Sequence, residues 1–181
     1  MNNSYILVSS PNIIGDPHFH RTVVLVVENS KESLMGFTIN KKLDYSLNEV
    51  SSGIEKKIPL YFGGPVDTDS LFYIYKSKIK VSGSKSISKN LNWGGNFDEI
   101  KSLINQDKIS KKDIKFFLGY SGWDTNQLND EIQNKNWEII NSIDDDMILK
   151  NQTENIWKNF LNSLGGEYLI WSNSPENPNH N

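Results

Sequence analysis

The sequence contains no cysteine among its 181 residues. Disulfides, thiolate catalysis and cysteine-bound metals are therefore excluded, and a zinc site would have to use the three histidines together with carboxylates. The chain also lacks an apolar run of the roughly 20 residues that cross a bilayer, and its N-terminus lacks the basic and apolar regions of a signal peptide. These absences predict a cytoplasmic protein with no membrane association.

An excess of positive charge is lacking too. The 19 basic and 22 acidic residues give a formal net charge of −3, which does not attract phosphate backbones. Two lysine-rich segments, residues 76–89 and 101–115, could form a local patch. Aromatic residues are not interleaved with these lysines, and no helix-turn-helix pair is visible. The sequence therefore disfavours direct DNA binding.

The length fits a single domain, because a chain of this size buries roughly 70% of the surface that its unfolded form exposes. No composition change or linker divides the chain, so residues 1–171 are predicted to form one domain. Residues 172–181 are polar and contain prolines, which predicts a disordered tail.

The apolar periodicity predicts strands at residues 5–9, 22–27, 35–40, 59–62 and 71–75, with an edge hairpin at 76–89. Helix-capping patterns predict helices that begin at Ser46, Asn96, Asp124 and Thr153, the last one ending at Gly165. Strands concentrate before residue 90, and helices alternate with isolated strands after it. This order predicts a mixed α+β fold with about four helices rather than a doubly wound parallel sheet.

Residues 115–137 carry the most informative pattern. An apolar run of strand length, a glycine-bracketed segment at 119–122 and a helical spacing predict a strand, a tight turn and a helix. Such a turn at the end of a strand is a common place for a binding site. We predict that its aromatic and polar side chains, with a glycine turn at 63–65, bind a ligand or a partner. The candidate residues are Gly63, Gly64, Pro65, Tyr120, Ser121, Trp123, Asp124, Asn126 and Gln127.

The same motif has a catalytic alternative, because Gly119-Tyr-Ser-Gly-Trp123 resembles the Gly-x-Ser-x-Gly elbow of serine hydrolases. That elbow needs a small residue where Trp123 stands, and the only histidine that follows it, His180, lies in the predicted tail. We therefore interpret the two glycines as turn residues and Trp123 as a side chain that fills a pocket. No catalytic residue is assigned.

Other site types are also incomplete. Asp16, His18 and His20 could present metal ligands on one face, but Pro17 favours a turn there and no third protein ligand is apparent nearby. The three aspartates at 144–146 lack the glycine and glutamate of a calcium loop. Residues 63–65 could form an anion-binding nest, but no known nucleotide-binding loop follows, so a plain turn is the default. No metal and no cofactor is predicted.

Several spaced stretches match one pattern together. They are residues 6–11, 16–19, 21–24, 35–40, 63–66 and 119–123, followed by Gln127-Leu128, Glu131-Ile132, Asn136 and Trp137. Their order and spacing make the chain resemble the AlgH/YqgE-like family of bacterial proteins over residues 5–165. The resemblance implies a bifurcated β-sheet curled into a pseudo-barrel with helices packed outside. It implies no established activity, and the family's name derives from a proposed role in transcriptional control.

The chain departs from the family pattern at three places. Lys41-Lys42 replaces an Arg-Pro pair, Asn126 replaces a glycine, and Tyr75 replaces a histidine. Chemistry that depends on that histidine could not operate in this chain.

Three classes of function remain as hypotheses. The first is a non-enzymatic interaction or regulatory protein, and it is favoured because no enzyme constellation is complete. The second is a small-molecule or peptide-binding domain, or a weak hydrolase, that uses residues 119–127. The third is direct DNA binding. The partner is unknown, and aromatic area near Trp123 or the terminal helix could support a homodimer.

Overall fold

The structure is a computed structural model, and it describes residues 4–13, 15–29, 33–151, 153 and 155–174. The strands are β1 (Tyr5–Ser9), β2 (Val23–Asn29), β3 (Ser33–Thr38), β4 (Lys42–Ser46), β5 (Pro59–Phe62), β6 (Val66–Lys76), β7 (Lys85–Ser86), β8 (Leu91–Trp93), β9 (Ile114–Asp124) and β10 (Trp137–Ile140). The α-helices are α1 (Leu47–Val50), α2 (Phe97–Asn105), α3 (Thr125–Gln133), α4 (Asp145–Leu149), α5 (Ile156–Leu164) and α6 (Tyr168–Ser172), and a 3₁₀ turn covers Pro11–Ile13.

All ten strands join one curled sheet whose main path is β10-β1-β2-β3-β9-β6-β8-β7. The neighbours on this path are antiparallel. A branch leaves the path at β9, where β5 pairs in parallel and then carries β4. The α+β class and the bifurcated, curled sheet expected from the resemblance are therefore confirmed.

The branch exists because β9 changes partners along its length. Its first half lies between β5 and β6, with Phe116 opposite both Leu60 and Tyr73. Its second half pairs with β3, where Ser121 lies opposite Gly36. The same strand thus belongs to both arms of the sheet, one formed with β10, β1, β2 and β3 and the other with β4 to β8.

Three apolar clusters fill the space between the sheet and the helices. The first lies under α4 and α5, the second under α1 and α2, and the third under α3. Alternate residues of β2 face the first and third clusters, so Leu25 and Val24 are both fully buried on opposite sides. The prediction that the second strand is covered on both faces is confirmed, as is its pairing with the third strand.

Several element predictions were wrong in detail. The expected tight turn at 119–122 is part of β9, because Tyr120 pairs with Val66 of β6 and the next two residues pair with β3, although Gly119 has a φ of +69°. In the expected hairpin at 76–89, β6 ends at Lys76 and the other strand is the two-residue β7, whose partner is β8. The last long helix is capped at Asn155, and the Thr153 carbonyl accepts the Ile156 N–H there.

The predicted caps at Asp124 and Asn96 are confirmed, because both side chains accept N–H groups of the first helical turn. Gly165 ends α5 as predicted, with φ at +72°. The short helices α4 and α6 and the strands β4, β8 and β10 had no predicted counterpart. In the predicted tail, α6 ends at Ser172 and Arg21 donates to the Ser174 carbonyl, while residues 175–181 lie outside the described part.

Candidate functional site

The two predicted glycine segments meet in the interior, where their backbones touch. Gly63 donates to the Leu118 carbonyl at 2.8 Å and accepts from the Thr38 N–H at 2.9 Å, so it ties β9 to the end of β3. A Cβ on Gly63 would lie 2.1 Å from the Gly119 oxygen, and one on Gly64 would lie 2.2 Å from the Tyr120 carbonyl. Side chains are therefore excluded from this contact, which is why glycine is required.

Ser121 lies behind the same contact and is fully buried. Its hydroxyl donates to the Gly63 carbonyl at 3.0 Å. The hydroxyl proton is thus used to satisfy a main-chain oxygen, which is the usual requirement for buried polar groups. This arrangement supports a structural role for Ser121 and gives no support to the hydrolase hypothesis.

Trp123 is only 4% exposed and packs in the third apolar cluster. Its ring contacts Trp137 at 5.8 Å between centroids, and the Phe19 ring lies against both indoles. The Glu131 carboxylate accepts both indole N–H groups, from Trp123 at 3.1 Å and from Trp137 at 2.7 Å. The prediction that Trp123 fills a pocket is confirmed, and the aromatic area expected to be exposed around it is internal.

Glu131 belongs to a stretch that matches the family pattern, but it was not among the predicted site residues. It lies on α3, two turns after the Asp124 cap, and this position brings its carboxylate over the two indoles. A half-buried glutamate that accepts two indole N–H groups fixes the angle of α3 on the sheet. Its spacing of eight residues from Trp123 is the signal that could have suggested the contact.

The remaining candidate residues reach the surface beside this buried layer. Asp124 accepts the N–H groups of Asn126 and Gln127 at 2.8 and 3.3 Å, and all three side chains are exposed. Pro65 is exposed as well, and Tyr120 is half-buried against Phe72 at 5.6 Å between ring centroids. The predicted site is therefore divided into four internal residues, Gly63, Gly64, Ser121 and Trp123, and five that contact solvent.

The histidine and aspartate groups have structural roles. The Asp16 carboxylate accepts the N–H groups of His18 and Phe19, and the His18 ring stacks on Phe62 at 5.9 Å. Asp144 caps α4 by accepting two N–H groups, so the acidic turn at 144–146 is the start of a helix. Within the described ranges, no three His, Asp or Glu side chains are grouped as metal ligands.

The lysine-rich segments are partly neutralised. Lys76 pairs with Asp146 at 2.6 Å, Lys85 with Glu28 at 2.9 Å and Lys101 with Asp98 at 3.3 Å. Lys115, which the sequence placed in a basic surface segment, is buried instead, because it lies at the start of β9, where this strand pairs with β6. These positions weaken the DNA-binding hypothesis.

The Lys115 amine occupies an unusual interior position. It donates to the carbonyls of Ile39 at 3.1 Å and Lys150 at 2.9 Å, and it lies 4.3 Å from the centre of the Tyr61 ring. Burial lowers the pKa of Lys115 to about 7, because the interior solvates the charged form poorly. Burial also raises the pKa of Tyr61 to about 12. A lysine within an otherwise apolar strand is the only sequence signal for this arrangement.

In the part of the chain that the structure describes, no helix has the length and apolarity required to span a bilayer. Short α6 does present apolar groups to solvent, since Leu169, Ile170 and Trp171 are 46%, 74% and 39% exposed.

Comparison with solved structures shows which class of fold this is. A protein from Corynebacterium diphtheriae, determined by X-ray crystallography, matches with a TM-score of 0.75 at 20% identity, covering 96% of this chain and 93% of that one. The solution structure of the AlgH protein from Pseudomonas aeruginosa matches with a TM-score of 0.73 at 23% identity, covering 96% and 94%. The molecule thus has the α+β fold with a split, curled sheet that these proteins share.

Sequence comparison identifies the family. The AlgH-like family model matches residues 6–169. A "UPF0301 protein" from Bacteroides thetaiotaomicron is 38% identical over 178 residues, covering 97% of this chain and 89% of the relative. One of the same description from Cytophaga hutchinsonii is 38% identical over 181 residues, covering 97% of each. The chain therefore belongs to the AlgH-like family.

Proposed function

We propose that this protein is a single-domain, cytoplasmic, non-enzymatic interaction protein, through which a regulatory role would be exerted. Its proposed contact surface consists of the exposed residues Pro65, Asp124, Asn126 and Gln127, together with Tyr120. The buried Gly63, Gly64, Ser121 and Trp123 support that surface from inside.

The observation that carries the proposal is the position of Ser121. This hydroxyl is the one candidate nucleophile in the motif, and it is fully buried with its proton donated to Gly63. Its exposed neighbours are the amides of Asn126 and Gln127 and the carboxylate of Asp124, and the Tyr120 ring is half-buried beside them. Such groups recognise a partner through hydrogen bonds and apolar contact. The surface is thus equipped for binding without an accessible nucleophile.

The rigidity of the supporting layer also favours a recognition surface. Both ends of α3 are fixed, since Asp124 caps its start and Glu131 binds two buried indole N–H groups. The backbone of a helix held in this way loses little conformational entropy when a partner binds.

Two matched variants test the proposal, Asn126→Arg and Asn159→Arg. Both asparagines are exposed on helices, but α3 covers the third apolar cluster and α5 covers the first, on opposite faces of the β1-β2 region. Tagged proteins are captured from cells of the native organism and compared by quantitative mass spectrometry. We expect Asn126→Arg to reduce the enrichment of the captured partners by about tenfold or more, because it places a long cation in the contact surface. Asn159→Arg should leave that enrichment unchanged.

Thermal unfolding of both variants provides the folding control. Retention of every partner by a folded Asn126→Arg protein would place the contact surface elsewhere. Absence of any protein enriched above a tag-only control would contradict the interaction function itself.

A further inference from the structure

An open cavity of about 490 Å³ lies on the other arm of the sheet, at the β4-β5 pair. Its walls come from four separate parts of the chain. Lys42 and Tyr45 belong to β4, Lys57 precedes β5, Lys111 lies between α2 and β9, and Asn151 follows α4. The volume is in the range of small-molecule sites.

The charge of this cavity is the opposite of the charge of the whole chain. Three lysines line it, against the single carboxylate of Asp44, in a protein whose net charge is −3. No ion pair or side-chain hydrogen bond to Lys42, Lys57 or Lys111 occurs among the described residues. Three ammonium groups and one carboxylate give the cavity wall an excess of positive charge, which favours a bound anion.

Among the described residues, four lysines outside the cavity pair with carboxylates: Lys56, Lys76, Lys85 and Lys101. Lys56 pairs with Asp107 at 2.6 Å, and it is the direct neighbour of Lys57. The three cavity lysines are thus not among those that carboxylates neutralise.

The rear of the cavity is held by the core. Tyr61 is fully buried, and its hydroxyl contacts both the carbonyl and the side-chain oxygen of Asn151 at 3.3 Å. Lys115 lies over the Tyr61 ring and donates to the carbonyl of Lys150, the residue before Asn151. Because the amide oxygen of Asn151 faces Tyr61, its NH₂ group is left as a donor for a ligand.

The walls also offer a place for an apolar or planar group. The Tyr45 ring is 40% exposed and stands beside Leu43 and Pro59 on the cavity wall. A lysine ammonium binds phosphate as a point charge, and an aromatic face stacks on a base. A cavity wall with both groups therefore suits a ligand that joins a phosphate to a planar ring.

We propose that this cavity binds a nucleotide, with its phosphates between Lys42, Lys57 and Lys111 and its base against Tyr45. This inference goes beyond the proposed interaction function, because the cavity and the contact surface around α3 share no residue. Asn151 would donate to the phosphate or the ribose from the rear wall.

The test measures binding of ADP, pyrophosphate and adenosine to the full chain by titration calorimetry at low salt. We expect saturable ADP binding below about 1 mM, weaker binding of pyrophosphate, and the weakest binding of adenosine. Lys57→Glu/Lys111→Glu should weaken ADP binding by about tenfold or more, because it replaces two attractive charges by repulsive ones. Tyr45→Ala should reduce the ratio of the affinity for ADP to the affinity for pyrophosphate.

Lys80→Glu is the control variant, since Lys80 is exposed and does not line the cavity. Its affinity for ADP should stay within about twofold of that of the original protein, because the variant changes a charge outside the cavity wall and the salt screens that charge. Absence of saturable ADP binding, an equal loss in Lys80→Glu, or full affinity in the folded double variant would each overturn the proposal. Loss of partner capture by Asn126→Arg is measured separately, so either proposal can fail without the other.

Discussion

The Lys115 side chain brings an amine into the interior, where it contacts two main-chain carbonyls and the face of Tyr61. These groups join the end of β3 to the segment after α4. Removal of the ammonium from water costs free energy unless other groups replace its hydration. The two carbonyls and the Tyr61 ring replace only part of it, and the pKa of Lys115 is therefore lowered.

We predict that the stability of the protein rises with pH above neutrality because of Lys115. The folded pKa of about 7 lies below the ordinary value of 10.5, so between these values the unfolded chain binds a proton that the folded protein does not. The free energy of unfolding should increase by up to about 1.4 kcal/mol per pH unit between about pH 7 and 9.5. Tyr61, with a pKa of about 12, is still protonated in this window.

Urea unfolding at several pH values checks this prediction. Lys115→Met keeps most of the side-chain volume and removes the charge, so its profile should rise much less over the same window; burial also lowers the pKa of Lys41, which leaves a smaller slope of the same sign. Parallel profiles for Lys115→Met and the original protein would show that Lys115 does not cause the pH dependence.

At the scale of elements, β9 and its contact with the residues after β5 decide how the sheet divides. The Gly119 φ of +69° lets the strand change partners without ending, and Gly63 and Gly64 allow a second backbone to lie directly against it. A close backbone crossing of this kind cannot accept a side chain.

Gly64→Ala should destabilise the protein strongly. Its Cβ would lie about 2.2 Å from the Tyr120 carbonyl, and its φ of +155° is unfavourable for alanine. We expect a loss of about 3 kcal/mol or more, observed as a large decrease in the thermal midpoint or as insoluble protein.

Gly94→Ala is the matched control, since Gly94 also has a positive φ, +63°, but an added Cβ would meet no atom within 4 Å. It should cost only about 1 kcal/mol, the price of the left-handed conformation. Equal losses in the two variants would mean that the backbone contact at Gly64 contributes little.

At the scale of the whole molecule, β9 also connects the three apolar clusters. Phe117 belongs to the first cluster, Phe116 to the second and Trp123 to the third. One strand thus contributes to every part of the interior, and loss of any cluster removes support from the others.

We therefore predict one cooperative unfolding transition for the whole chain. Helix content followed by circular dichroism and tryptophan fluorescence should give the same midpoint, because Trp93 and Trp157 report on the first cluster and Trp123 and Trp137 on the third. Two separated transitions, or a protease-resistant fragment that retains only one arm of the sheet, would contradict the single-domain prediction.

Local chemistry made part of this structure predictable. The continuous burial of residues 23–27, the Asp124 cap and the helix end at Gly165 follow from β-branched runs, a side-chain acceptor and a residue that tolerates positive φ. Gly119-Tyr-Ser-Gly122 was predicted as a turn because glycine usually marks one. Its extended conformation depends on β3 and Val66, which are distant in sequence.

The candidate site was predictable only as a region. Ser121 and Asp124 are three residues apart on one strand, but Ser121 is buried behind Gly63 whereas Asp124 is exposed at the start of α3. No local pattern separates them. The cavity lysines come from separate segments, and only the folded chain brings Lys42, Lys57 and Lys111 together.

The amino-acid sequence by itself determined the fold class, the family, the starts of α1, α2 and α3 and the end of α5, because these depend on periodicity, capping and ordered motifs that are local along the chain. Tertiary structure alone decided which side chains are accessible, which lysines are paired, and which residues share a cavity. Those properties depend on contacts between segments that are distant in sequence. Such contacts form only when the sheet and its core are assembled, so the local sequence does not encode them.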